Sequence, residues 1–78
     1  MPTFEETAGQ IARDIDGSGE KLITYSWPKF YDVCEAQKLH ESRKKGIQEA
    51  LWDEHGLLVA YGEKVVMVAR DAFINRVR

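Results

Sequence analysis

Two apolar runs, LLVAY over residues 57–61 and KVVMVA over residues 64–69, flank Gly62-Glu63. Glycine at the first centre of a two-residue loop suits a type II′ β-hairpin, and no other local signal in the chain is as strong. In that register Tyr61 faces Lys64, Val59 faces Val66 and Leu57 faces Val68, while Leu58, Ala60, Val65 and Met67 take the other side. Both faces are apolar. A sheet wetted on one side alternates apolar with polar residues. The pattern therefore predicts that part of the second face is covered, either by the tail RDAFINRVR through Phe73 and Ile74 or by a partner.

Such a hairpin needs a core to dock on, and 78 residues allow one domain, near the lower size at which packing alone sustains a fold. With 44% hydrophobic and 31% charged residues the chain is too apolar to be disordered. Cys34 is the one cysteine, so an internal disulfide is excluded, and no Cys/His set has zinc spacing. No metal or other cofactor is expected. No run approaches the roughly 18 apolar residues of a membrane span. The start MPTFEETAGQ lacks the basic-then-apolar order of a signal peptide, so a cytoplasmic location is expected.

Before the hairpin, Phe4, Ala8, Ile11, Ala12 and Ile15 form one helical stripe, and Thr3 with Glu6 has the form of a capping box, which predicts a helix over 3–16. DGSG ends it. KLITYS reads as a strand over 21–26, after which Pro28 stands at the first position of a second helix, 28–39, with Trp27, Phe30, Tyr31 and Cys34 on its inner stripe. Ser42 is a candidate N-cap for a third helix, 42–55, whose inner face is Ile47, Ala50 and Leu51. Gly46 inside that helix suggests close approach by a neighbouring backbone, and Gly56 ends it. The expected core is Ile11, Ile15, Phe30, Cys34, Ile47, Leu51 and Val66; residues 70–78 form a tail.

The net charge of −2 argues against a protein that coats nucleic acid, but the charge is segmented. Residues 1–20 sum to −4, residues 21–45 to +3, residues 46–63 to −4 and residues 64–78 to +3. One basic face is thus compatible with an acidic total. Arg43-Lys44-Lys45 sits at a helix start, where cations oppose the helix dipole; it reads equally as a nucleic-acid contact or as a solvated helix end. Trp52, off the main apolar stripe, is either a core margin or an interface anchor. Catalysis has no constellation to rest on. Cys34 lies on an apolar stripe, the His40-Glu41 and Asp53-Glu54-His55 neighbours do not face one another on a helix, and DGSG lacks the lysine of a P-loop. A non-enzymatic protein is expected.

The order helix, strand, helix, helix, strand, strand resembles the winged helix-turn-helix superfamily over roughly residues 3–70. SRKKGIQEALWDEHG stands in the place of the recognition helix and LLVAYGEKVVMVA in that of the wing. The resemblance implies an α+β fold, a small winged helix-like domain in which the third helix enters the major groove and the wing meets backbone or minor groove. Carried over by position, Arg43, Lys44, Lys45 and Gln48 become base-edge or phosphate candidates and Lys64 a wing contact. One expected function is therefore a dimeric DNA-binding regulatory protein that acts on duplex DNA. The other is a protein-binding module or small inhibitor of the same fold, using Trp52, Leu58 and Met67. The acidic pI, the short acidic wing and the surplus apolar surface favour the second; the basic start of the third helix and the order of elements favour the first, which is the preferred reading.

Overall fold

The computed structural model describes residues 2–71. Its elements are α1 Phe4–Ser18, β1 Leu22–Ser26, α2 Trp27–Cys34, α3 Glu41–His55, β2 Leu57–Tyr61 and β3 Val65–Arg70, the order of a small winged-helix-like α+β domain. The strands form one antiparallel sheet in the order β1-β3-β2, so β3, the last of the described strands in sequence, is central. Among the described residues no helix is long and apolar enough to cross a membrane. The expected cover from Phe73 and Ile74, and residues 72–78 of the tail, lie outside the described residues.

The capping box forms: Glu6 donates its N–H to Thr3 Oγ1 at 3.1 Å, and Thr3 donates its own to Glu6 Oε1 at 2.9 Å. α1 runs past residue 16 because one glycine, Gly17, costs a helix only about 1 kcal/mol. Gly19, at φ 71°, is the residue that ends it. α2 starts one residue early, at Trp27, with Ser26 Oγ accepting from Lys29 N–H, and Pro28 is its second residue. It stops at Cys34 and not at 39. Glu35 takes the left-handed conformation, φ 51°, and Ala36 donates to Tyr31 O at 3.0 Å, which closes the helix end. The apolar stripe is exhausted at Cys34, and turning there lets Ala36 and Leu39 pack on the core from a loop.

α3 begins at Glu41, and His40, which makes no side-chain cap bond, holds the N-cap position expected of Ser42. Arg43 and Lys44 both donate their backbone N–H to His40 O, which places Ser42 inside the first turn. The hairpin also departs from its expected turn. Three residues, Gly62 to Lys64, join the strands, and the pairs are Tyr61 with Val66, Val59 with Val68 and Leu57 with Arg70. Gly62 does not take the positive φ that a type II′ turn requires. It is needed for space, because a Cβ there would meet Val65 O at 2.8 Å. Since β3 also pairs with β1, from Leu22 with Ala69 to Ser26 with Val65, its start is fixed from both sides. The register moves by two residues, an even number, so every side chain keeps its expected face.

All seven expected core residues, Ile11, Ile15, Phe30, Cys34, Ile47, Leu51 and Val66, are fully buried. The inner sheet face adds Tyr25, Leu57 and Val68, and Phe30 meets the rings of Tyr25, Trp27 and Tyr61 edge-on at 5.6–6.0 Å. Gly46 does mark a close approach, but by a side chain and not by a backbone: the Phe4 ring occupies the space of its missing Cβ. α1 and α3 thereby lie against each other along Ala8, Ile11, Ile15, Ile47 and Leu51. On the far side, Tyr25 Oη donates to Asp14 Oδ2 at 2.7 Å, and Arg70 pairs with Asp16.

Candidate nucleic-acid interface

α3 presents its first two turns beside the hairpin, and an open groove of about 420 Å³ runs between them. Glu41, Ser42, Lys44, Lys45, Gln48 and Tyr61 line it. The spacing of 41, 44/45 and 48 puts these side chains on one helical face. Lys45, Gln48 and Ser42 are exposed, and Lys64 is exposed in the hairpin loop. Three of the five expected nucleic-acid contacts, Lys44, Lys45 and Gln48, thus line one concavity, and Lys64 stands in the hairpin loop outside its lining.

Arg43 is the exception. Its guanidinium lies over the Phe4 ring, 5.2 Å from the centroid, and Nε and Nη2 are buried without a hydrogen-bond partner. The side chain turns from the groove toward the start of α1, where it shares the lining of a hollow with Pro2, Thr3, Phe4 and Glu5. Sequence gave no sight of this, since Phe4 meets Arg43 only after α1 packs across α3; the bare Gly46 was the available hint.

Lys44 is held differently from Lys45. Its ammonium lies 5.4 Å from the Trp27 ring centroid, 5.7 Å from that of Tyr61 and 3.5 Å from Glu41 Oε1. The two rings stack on each other at 6.1 Å and 19°. Tyr61 Oη donates to Lys44 O at 2.9 Å, and Trp27 Nε1 donates to Gly62 O at 2.9 Å. Burial pushes the Tyr61 phenol up, with smaller contributions from Cys34 and Glu41, so it remains a donor at neutral pH. Trp27 and Tyr61, read from sequence as stripe and strand residues, are the site residues that periodicity missed.

Charge divides α3 in two. Past Gln48 its exposed residues include Glu49, Asp53 and Glu54, and with Glu5 of α1 these carboxylates rim a hollow of about 290 Å³ floored by Phe4, Gly46 and Ala50. Phosphates are repelled from that end. Among the described residues no group of three His, Cys, Asp or Glu side chains could hold a metal ion. The Cys34 thiol is pushed up to about 11 by burial, Arg43 opposing only in part, which is the reverse of what a thiolate nucleophile needs.

The residues proposed for protein contact lie elsewhere. Trp52 is 43% exposed on α3; Met67, with Val65, is 39% exposed on the outer face of β3, and Leu58 is half-buried on β2. Geometry therefore defines a winged-helix-like domain with a polar groove on one side and an apolar sheet face on another. No protein-family model matches the chain, and neither a curated protein nor a solved structure does.

Proposed function

We propose that the domain is a small DNA-binding regulatory protein that lays the groove between α3 and the hairpin along duplex DNA. The observation that carries this is the groove itself, which gathers Ser42, Lys45 and Gln48 from α3 opposite a hairpin whose loop bears Lys64. Lys45 and Lys64 are flexible, hydrated ammonium groups suited to phosphates. Gln48 can bond an adenine edge in two places, and Ser42 can serve either base or backbone. Arg43 has no part in this reading, since its guanidinium is engaged with Phe4. The acidic half of α3 limits the contact to the first two turns and gives the encounter one orientation.

Titration against duplex DNA at several salt concentrations tests the proposal. Lys45→Ala should weaken binding to every sequence and flatten the slope of log K against log salt by about 0.9. An absence of binding at low salt refutes it. A second reading, a non-enzymatic protein-binding module or small inhibitor, is favoured by the exposure of Val65 and Met67 side by side on the outer sheet face.

A further inference from the structure

Lys44 shares the groove with Lys45, yet the two lysines differ in what surrounds the nitrogen. Three-quarters of the Lys44 side chain is covered, and its ammonium faces two aromatic rings and a carboxylate, whereas Lys45 is exposed. The rings belong to different elements, Trp27 opening α2 and Tyr61 closing β2. Each also donates a hydrogen bond across an element boundary, Trp27 to Gly62 O in the hairpin loop and Tyr61 to Lys44 O in α3. These contacts join α2, α3 and the hairpin where β2 ends, at Tyr61, beside the buried Val66.

We propose that Lys44 is a positioning residue, the cationic pin of a clasp made with Trp27, Tyr61 and Gly62, and not a phosphate contact. The clasp holds the hairpin loop at a fixed distance from α3 and so sets the span between Lys45 and Gln48 in the groove and Lys64 in the hairpin loop. As it concerns DNA, this rests on the binding function proposed above; as it concerns the hairpin, it stands alone. An ammonium against two rings is favourable by itself, and leaving them for a phosphate forfeits both contacts and the pairing with Glu41. Lys44 is therefore the costly lysine to recruit and Lys45 the free one.

The experiment compares the parent, Lys44→Met, Lys44→Arg and Lys45→Ala, with Trp52→Phe used to assign the Trp27 indole. Without DNA, the Lys44 ε-protons of the parent should resonate upfield from ring currents. The Trp27 indole N–H should exchange about fivefold faster in Lys44→Met, the effect of losing one cation–ring contact. Lys44→Arg, which retains a cation over the rings, should restore slow exchange. With DNA, Lys44→Met should weaken binding while leaving the salt slope unchanged, and Lys45→Ala should flatten it by about 0.9. Unshifted Lys44 protons in the parent overturn the clasp, as does a salt slope equally flattened in Lys44→Met and Lys45→Ala. If the parent fails to bind DNA, the DNA-binding function falls, and the proton shifts and exchange rates decide the clasp alone.

Discussion

Gly46→Ala sets two effects of known sign against each other. Alanine in a helix interior is worth about 1 kcal/mol over glycine, so α3 alone would gain. Against this, a Cβ on Gly46 would stand 2.6 Å from both Cδ2 and Cζ of Phe4, well inside contact distance. Relief requires the Phe4 ring to shift away from α3, which disturbs its contact with the Arg43 guanidinium. Overpacking of this kind costs about 1–3 kcal/mol. The net expectation is a loss of about 1 kcal/mol, or about 4–8 °C in melting temperature for a domain of this size. In a Phe4→Ala background the obstacle is gone, and the same substitution should stabilise by about 1 kcal/mol, giving a coupling near 2 kcal/mol. Urea unfolding followed by far-ultraviolet circular dichroism on the four proteins of this cycle measures it. Equal stabilisation in both backgrounds would refute the seat assigned to Phe4 and, with it, the account of where Arg43 points.

The capping box should be visible in the pH dependence of stability. The Thr3 backbone N–H, then its hydroxyl, holds the Glu6 carboxyl below its ordinary 4.5, so its contribution is complete above that value and is lost as pH falls through the lower folded value. Glu6→Gln preserves the bond to Thr3 and should flatten this part of the profile in thermal melts between about pH 3 and 6. On the outer sheet face, association of copies would appear as a mass that rises with concentration in light scattering, and Met67→Glu should abolish the rise; a single-chain mass throughout removes that use of the face.

The core was legible because Ile11, Ile15, Phe30, Cys34, Ile47 and Leu51 repeat at helical spacing, and burial follows spacing whatever the neighbours are. Val66 survived an error of register, since a two-residue slip leaves the faces of a strand alone. What failed was set by contacts distant in sequence. α2 ends where Ala36 and Leu39 find the core, not where helix formers run out, and the start of β3 is fixed by β1 as well as by the turn. The groove was half legible: Lys45, Gln48 and Lys64 are exposed as a cationic helix start and a hairpin loop imply. In sequence Arg43 and Lys44 look as solvated as Lys45, and only contacts with Phe4, Trp27 and Tyr61, each on another element, set them apart.

The central place of β3 also dictates an order of events during synthesis. β1 leaves the ribosome early with no partner, because the strand it needs follows both remaining helices and β2. β2 emerges next and cannot pair with β1, from which it is separated in the finished sheet by one strand width. Until Val65 to Arg70 are made, the nascent chain holds two unpaired strands and three helices with half a floor beneath them. Folding is therefore expected in one late step, governed by closure of the long loop between Ser26 and Val65. Any chain halted before β3 would expose Ile23 of β1 and Leu57 and Val59 of β2, apolar surface suited to chaperone capture.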